Sequence, residues 1–296
     1  MNWIFLYILD FDNHDDYLVD WKENVVTKLN ERECIKEISE YVLHIARIVN
    51  YPDLCIKKYL KLLEDLGEEL RLKIDVKNMR PTYIIEKFNE FFYDEKGFHP
   101  NINDYYNPIN NYLNIVLEKK IGIPITLSLI YIHLASYLNF KLEPVNFPSH
   151  FLVKYTVDEE SNEFIIIDPF NKGKIMDDQI LQDLLNKINP RLKVLITKNT
   201  LEKANTSQIL IRILNNLKNG YVEVDDLNKV KIINEMILLL DKFNPDAIRD
   251  SGIILYREKK FKQALERFYE YIEFNPEALD IDNILDLIRQ IRNMKD

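Results

Sequence analysis

Apolar residues recur every three or four positions between residues 31 and 92, a period that predicts a helical N-terminal part. Pro52 separates two helices, and Pro81 suits the first turn of a third. Residues 97–100 end this region, so the helical part covers about residues 31–100. The apolar stripes are Ile35, Ile38, Val42, Ile45, Ala46 and Val49 in the first helix, and Tyr59, Leu62, Leu63 and Leu66 in the second.

The pattern changes twice in the middle of the chain. A helix over about 109–118 leads to the turn Gly122-Ile123-Pro124, and the next helix, 125–138, is apolar nearly all round and should be buried. Segments 150–157 and 164–168 are rich in β-branched and aromatic residues, and the stretch between them is polar. This pattern predicts an antiparallel hairpin.

From about residue 201 the pattern is helical again. Residues 245–276 resemble a tetratricopeptide repeat, because Gly252, Ala264, Phe268 and Pro276 have the offsets of its small, small, aromatic and proline positions. We interpret 216–245 as a degenerate first repeat and 281–294 as a capping helix. The sequence therefore predicts an α+β domain over 1–200, with a motif core at about 104–180, and helical repeats over 201–296.

Composition excludes some classes of function. The net charge of −9 argues against nucleic-acid binding, which needs clustered Lys and Arg. The apolar segment 1–11 lacks a basic region and is too short to span a bilayer, so we expect it to pack on the domain without a membrane role. Cys34 and Cys55 lie in apolar, helical-looking stretches and are interpreted as reduced, buried thiols of a cytoplasmic protein.

The hairpin carries the candidate chemistry. If its loop centres near Glu159, His150 and Asp168 lie opposite each other on adjacent strands and on one face of the sheet. An Asp in this position fixes the tautomer of the His and stabilises its protonated form. The alternative is a buried pair that only makes the hairpin rigid. The order of turn, helix, His and Asp favours a site on a papain- or transglutaminase-like scaffold.

A cysteine nucleophile at the start of helix 125–138 is missing. Ile125, Thr126 and Ser128 occupy this turn instead. A thiol at a helix N-terminus is activated by the helix dipole, whereas a hydroxyl depends on a base. Thr126 and Ser128 are thus either nucleophiles served by His150 or residues that satisfy free N–H groups of the helix, and the second interpretation is favoured.

Other polar residues are less specific. Asn107, Asn110 and Asn114 follow helical spacing, and with Pro124 they are candidates to line a cleft. His133 lies inside an apolar helix and is expected to be a hydrogen-bonded core histidine. Neither a Cys/His cluster nor a glycine-rich phosphate loop occurs in the sequence, so we expect no metal and no cofactor.

Several segments of the chain together resemble a known family. The chain is similar to SirB1-type proteins, the transglutaminase-like group with C-terminal tetratricopeptide repeats. The resemblance covers about 45–276 and is carried by ARIVNYPDL from Ala46, YYNPINNYLNIVLEKKIGIPITLSLIY from Tyr105, NFPSHFLVKY from Asn146 and IDPF from Ile167. It implies that His150 and Asp168 match the catalytic His and Asp of active relatives, whereas no cysteine matches the nucleophile.

These observations favour a non-catalytic or cryptic transglutaminase-like protein that binds a protein or peptide partner through its cleft and helical repeats. One alternative is a hydrolase or acyltransferase that uses Thr126 or Ser128 with His150 and Asp168. A second alternative is a scaffold in which only the repeats bind.

Overall fold

The computed structural model describes residues 14–30, 35–158, 160–161, 163–188 and 195–294. Its N-terminal part is helical, as the periodicity predicts. The helices are α1 His14–Trp21, α2 Ile35–Val49, α3 Ile56–Lys73, α4 Pro81–Asn89, α5 Leu113–Lys119 and α6 Pro124–Ala135. Every residue of α6 is buried, and α2 and α3 pack against it. The all-round apolar pattern of α6 therefore reflects its central position.

An antiparallel sheet follows α6. A short parallel pair, β1 His99–Pro100 and β2 Ile121–Gly122, precedes it. The sheet itself has strand order β3 Leu142–Val145, β4 Leu152–Asp158, β5 Glu163–Asp168 and β6 Lys174–Met176. Val153 and Ile167 join the core around α6, whereas Leu152 and Ile166 pack into a second cluster with α7, Asp178–Ile188. Both faces of the sheet are thus covered by helices, which confirms the α+β fold class.

Helices form the C-terminal part. They are α8 Thr206–Glu223, α9 Leu227–Leu240, α10 Pro245–Arg257, α11 Phe261–Phe274 and α12 Ile281–Asn293. Neighbouring helices pack in sequence, α8 on α9 and α10 on α11, which is consistent with helical repeats. The apolar face of α12 packs with α10 and α11 around Phe268.

The helices α8 and α9 are closely joined to the N-terminal part. The indole N–H of Trp21 donates to the carbonyl of Met236 at 3.2 Å, and the hydroxyls of Tyr112 and Tyr221 lie 2.7 Å apart. Apolar residues of α8 and α9 belong to the same core as those of α2, α3 and α6. The division into two domains at residue 200 stays a prediction, because the core continues across it.

The predicted helix over 109–118 is divided in the structure. A 3-10 turn, Pro108–Asn111, is followed by α5, and between them Tyr112 has extended backbone angles of φ −88° and ψ 111°. The side chain of Asn107 starts the turn by accepting the N–H of Ile109 at 3.1 Å. The predicted common helix face of Asn107, Asn110 and Asn114 is therefore wrong.

Two further expectations need correction. The first C-terminal helix begins ten residues before the predicted repeat start at 216, because Asn205 caps it by accepting the N–H of Gln208 at 2.9 Å. Cys55 is exposed, since it precedes α3 and lies outside the apolar stripe that starts at Ile56. Cys34, Glu159 and the segment 1–11 lie outside the described residues. None of the helices in the described ranges is long and apolar enough to cross a membrane.

Candidate functional site

His150 lies in the turn before β4. The backbone N–H of His150 donates to the carbonyl of Phe147 at 3.0 Å, and the preceding Ser149 has a left-handed φ of 51°. Left-handed φ is uncommon outside glycine, so this turn has a defined shape that directs the imidazole. The expectation that His150 opens the strand is wrong, since β4 begins two residues later at Leu152.

The side chains of His150 and Asp168 meet. Nε2 of His150 lies 2.9 Å from Oδ2 of Asp168. The ring N–H is not directed along this line, and Nε2 has no hydrogen-bond partner among the described residues. The pair is therefore a close contact between an imidazole and a carboxylate, whose attraction depends on protonation of the imidazole. The predicted proximity is present, and the predicted directed hydrogen bond is not.

The register of the hairpin differs from the prediction. Val153 pairs with Ile167, which makes Leu152 the position opposite Asp168. The predicted partner, His150, is two residues earlier on the chain. Because His150 precedes the first residue of β4, the alternation of side chains along the strand does not set its direction. The contact survives because the turn before β4 brings His150 back towards the end of β5.

The carboxylate of Asp168 is held by the backbone that follows it. Its Oδ1 accepts the N–H groups of Phe170 at 3.0 Å and of Asn171 at 3.2 Å and so caps a 3-10 turn. Asp168 is 3% exposed. With Oδ1 occupied, Oδ2 is the oxygen that remains for His150.

A polar network supports the segment after Asp168. The hydroxyl of Tyr93 donates to the carbonyl of Pro169 at 2.6 Å. Asn89 accepts from the hydroxyl of Tyr131 at 2.9 Å and donates to the carbonyl of Gly173 at 3.2 Å. Burial, with smaller contributions from Tyr131 and Asp168, raises the pKa of the Tyr93 phenol, so it remains a hydrogen-bond donor. The Asp168 segment is thus tied to α4.

The two candidate hydroxyls are engaged elsewhere. Thr126 is 0% exposed; its Oγ1 accepts the N–H of Ile123 at 3.1 Å and lies 3.1 Å from the carbonyl of Asn110, to which it donates. Ser128 is also 0% exposed and donates to the carbonyl of Phe151 at 3.3 Å. Both hydroxyls therefore satisfy backbone groups, and both are closed to solvent.

A cleft of about 170 Å³ opens at the N-terminus of α6. Ile123, Pro124 and Ile125 line it, as do Ser149 and Phe151, the two neighbours of His150. The start of the helix and the turn that carries His150 therefore border one space, in agreement with the order predicted from the sequence. Ile125, where a nucleophile is expected, contributes an aliphatic side chain that is 2% exposed.

Helix α8 forms the opposite wall. It contributes Arg212, Asn216, Asn219 and Glu223, together with Gly220. A Cβ at Gly220 would lie 2.7 Å from Cγ of Pro108, so glycine allows α8 to approach the 3-10 turn closely. The sequence interpretation missed this wall. Its signal is the spacing of four, three and four positions, which places the four polar residues on one helix face.

Arg212 is the cation of the cleft. Its Nη1 donates to the carbonyl of Phe147 at 2.8 Å and also to the side chain of Asn146. The guanidinium carbon lies 5.9 Å from the ring centre of Phe151. Burial lowers the pKa of Arg212, and Tyr105 opposes this effect. An arginine pKa is high enough for the side chain to stay charged.

Aromatic rings connect the mouth of the cleft to the histidine. Tyr106, 76% exposed, contacts Tyr105 edge-on at a centroid distance of 5.2 Å. Tyr105 contacts Phe170 at 5.9 Å, and Phe170 contacts His150 at 6.1 Å. These edge contacts link Tyr106, at the mouth of the cleft, with His150 through two further rings.

Only one of the four residues predicted to line the cleft does so in the structure. Pro124 lines the cleft, whereas Asn107, Asn110 and Asn114 do not. Asn110 is used internally and donates to the carbonyls of Asp104 at 2.6 Å and of Tyr105 at 3.1 Å. Its neighbour Asn111, which the sequence interpretation did not select, lines the cleft.

From the sequence, His133 is expected to be a hydrogen-bonded histidine of the core. It is 3% exposed, and its Nδ1 lies 2.7 Å from the hydroxyl of Ser39, so it is a core histidine with a polar partner. Across the described ranges, no group of three or more His, Cys, Asp or Glu side chains is arranged to hold a metal ion.

Comparison with known proteins gives a consistent result. Residues 57–215 match the model of the transglutaminase-like superfamily, Transglut_core2. A UPF0162 protein of Xylella fastidiosa is 30% identical over 239 residues, which cover 79% of this chain and 83% of the relative. Protein SirB1 of Salmonella typhimurium is 27% identical over 206 residues, covering 69% and 73%. Human F-box only protein 21 is 42% identical over 98 residues, covering 31% of this chain and 16% of that protein.

Proposed function

Because the chain belongs to the transglutaminase-like superfamily, among the SirB1 and UPF0162 proteins, we propose that it is a non-catalytic member. In this proposal it binds a protein or peptide partner in the cleft between the N-terminus of α6 and α8. His150 and Asp168 do not line this cleft; in the proposal they belong to the scaffold beside it and carry out no acyl transfer.

The observation that carries this proposal is the chemistry at the start of α6. Nucleophilic catalysis needs a thiol or hydroxyl within about 2.6–3.2 Å of the base. Ile125 supplies neither group, and the hydroxyls of Thr126 and Ser128 are fully buried with backbone partners. At the start of α6, therefore, none of these three residues offers the His–Asp pair a thiol or an accessible hydroxyl.

The composition of the cleft supports partner binding. Its lining combines an exposed tyrosine, a partly buried arginine and several amide side chains. Tyrosine and arginine are enriched among the residues that contribute most to protein–protein binding. Amide groups and the free N–H groups at a helix start supply directional hydrogen bonds to a peptide backbone.

The C-terminal helices extend this proposal. The offsets of Gly252, Ala264 and Phe268 are those of a tetratricopeptide repeat, and Ala264 and Phe268 are both 0% exposed between α10 and α11. We assign these helices a role in partner binding alongside the cleft. The assignment rests on the offsets and on the paired packing.

Site-specific photo-crosslinking in living cells tests the proposal. A photoreactive p-benzoylphenylalanine replaces Tyr106 at the mouth of the cleft, and in the control it replaces Tyr83, which is 42% exposed on α4. We expect a discrete crosslinked protein from the Tyr106 position alone, and its loss when Asn216→Glu changes the cleft wall.

Two outcomes contradict the proposal in different ways. A crosslink at Tyr106 that survives Asn216→Glu, or equal crosslinking from Tyr106 and Tyr83, contradicts binding in the cleft. Turnover of a crosslinked partner that depends on His150 favours the hydrolase or acyltransferase alternative.

A further inference from the structure

Arg212 carries donors that the protein does not use. Both of its hydrogen bonds come from Nη1, whereas a guanidinium has five N–H donors. Within the described ranges, Nη2 and Nε have no partner and no carboxylate lies within ion-pair distance of this side chain. Since Nη1 is anchored to the Phe147 carbonyl, the charge is held at a fixed place on the cleft wall.

Asn111 carries a hydrogen-bond acceptor that has no partner in the described part of the chain. It is 3% exposed, and its Nδ2 donates to the carbonyl of Pro108 at 3.4 Å. The acceptor is its Oδ1, which is buried. Buried polar atoms are normally satisfied, and an unsatisfied acceptor calls for a donor from outside. Because Asn111 lines the cleft, a bound molecule can supply that donor.

The N-terminus of α6 lines the same cleft as these two groups. Thr126, in the first turn of α6, donates to the carbonyl of Asn110, which places Asn111 beside that turn. On the other side, Ser128 bonds to the carbonyl of Phe151, whose ring lies next to Arg212. A helix start favours negative charge through its free N–H groups and its dipole. The cleft therefore presents a positive region and one unsatisfied acceptor side by side.

Glu223 is the acidic residue of the cleft lining, and its position matters for the charge balance. It lies eleven residues beyond Arg212 on the same helix, a separation of roughly 16 Å along the axis. The carboxylate of Glu223 thus does not neutralise Arg212. Tyr105, whose phenol interacts with Arg212, is neutral at physiological pH.

Building on the proposed partner-binding function, we propose that the cleft receives the C-terminal residue of a peptide chain. Its α-carboxylate binds Arg212 and the N-terminus of α6, and its last amide N–H donates to Oδ1 of Asn111. A C-terminal residue carries a backbone carboxylate and an amide N–H on the same Cα atom.

The volume of the cleft limits how much of a peptide can enter it. Its volume of about 170 Å³ is close to that of an engineered cavity of about 150 Å³ that holds one benzene molecule. A single residue fits this space, and the preceding residues then lie along the exposed surface of Tyr106 and α8.

Two peptide pools test this inference. Immobilised full-length protein is incubated with N-acetylated hexapeptides randomised at the last three positions, made once as free acids and once as C-terminal amides. Retained peptides are quantified by mass spectrometry. Charge-assisted hydrogen bonds contribute about 1.5–3 kcal/mol, so we expect the acid pool to be retained roughly ten- to hundredfold better than the amide pool.

A pair of variants on α8 assigns the selectivity to the cleft. Asn216→Glu places a carboxylate one helical turn from Arg212, where it competes with the ligand and also favours the helix. Asn215→Glu makes the same change at the neighbouring position, which does not line the cleft. We expect Asn216→Glu to abolish the preference for free acids and Asn215→Glu to keep it. Neither change removes a hydrogen bond that anchors Arg212.

The outcomes separate this inference from the proposed function. Equal retention of both pools, lost in Asn216→Glu, overturns carboxylate recognition and leaves peptide binding in place. Retention of neither pool also overturns the inference, while the crosslinking at Tyr106, which does not depend on a chain end, decides the proposed function. A preference for acids that Asn216→Glu leaves intact places the carboxylate site elsewhere and is equally contrary to the inference.

Discussion

Oγ1 of Thr126 accepts the N–H of Ile123 at 3.1 Å, across the first turn of α6. This bond is the second half of a capping arrangement, in which a side chain at the third helical position reaches back to the residue before the helix. It also removes the most plausible hydroxyl nucleophile from the cleft. One interaction thus stabilises the helix start and explains why the site lacks a reactive group there.

We expect Thr126→Val, which keeps the shape and removes the hydroxyl, to lower the free energy of unfolding by about 1–2 kcal/mol. The buried N–H of Ile123 would lose its acceptor. Urea unfolding followed by circular dichroism measures the change. Thr126→Ser is the matched control and should retain more of the stability, and equal stability of the Val variant and the natural chain would contradict the capping role.

A fluorophosphonate probe should leave the purified protein unlabelled. Thr126 and Ser128 are buried and bonded to backbone carbonyls, so neither hydroxyl is presented to a reagent. Intact-mass spectrometry after incubation provides the measurement. Labelling at Thr126 or Ser128 that disappears in His150→Ala would instead establish a hydroxyl nucleophile with a histidine base.

Asp168→Ala should destabilise the fold by roughly 1–2 kcal/mol, the usual range for loss of a side-chain cap. The change removes the acceptor for the N–H groups of Phe170 and Asn171. Asp168→Asn keeps an amide oxygen in that place and should recover most of the loss. If both variants are equally unstable, the contact with His150 contributes more to stability than the cap does.

His133 should make stability depend on pH. Burial, with a smaller effect of Lys36, lowers the pKa of His133 to about 4 from an ordinary value of 6.5. Between these values the unfolded chain binds a proton that the folded chain does not, so stability falls as the pH is lowered through this window. The full difference is about 3 kcal/mol.

Urea unfolding of the natural chain and of His133→Gln at several pH values from 7 to 4.5 checks this expectation. The variant should show a shallower decrease, because other groups titrate equally in both proteins. His44, whose pKa burial and Arg47 lower, provides one such background contribution. Parallel curves would show that His133 does not carry the effect.

Gly252→Ala should destabilise the C-terminal helices. A Cβ at this position would lie 2.5 Å from the ring of Phe268, a contact that real Cβ atoms do not make. Overpacking of this kind costs about 1–3 kcal/mol. Thermal unfolding of Gly252→Ala, of Phe268→Leu and of the double variant is informative, because the smaller side chain should relieve the clash. A double variant no better than the sum of the single changes would contradict this contact.

The helical parts of the fold follow from the sequence because their signals are local. The three- and four-residue spacing from Ile35 to Val49 predicts α2, and the turn at Pro124 with an apolar run predicts α6. The β-branched and aromatic segments on either side of a polar stretch predict the hairpin in the same way. The proximity of His150 and Asp168 is expected from direct strand pairing, whereas the structure produces it through the turn at Ser149.

The register of the hairpin and the walls of the cleft could not be predicted from local sequence signals. Strand pairing depends on the shape of the loop, and the left-handed turn at Ser149 brings His150 towards Asp168 from outside the strand. The bend at Tyr112, which separates Asn110 from Asn114, serves packing against Tyr221 more than a hundred residues away.

The sequence by itself determined the helical periods, the hairpin and the missing nucleophile, since each is a property of neighbouring residues or of residue identity. The tertiary structure alone decided that Arg212 of α8 faces the start of α6 and that Asn111, and not Asn110, lines the space between them. Contacts between distant segments depend on how helices pack and on which backbone groups remain to be satisfied. Such information is distributed over the whole core, and no local pattern encodes it.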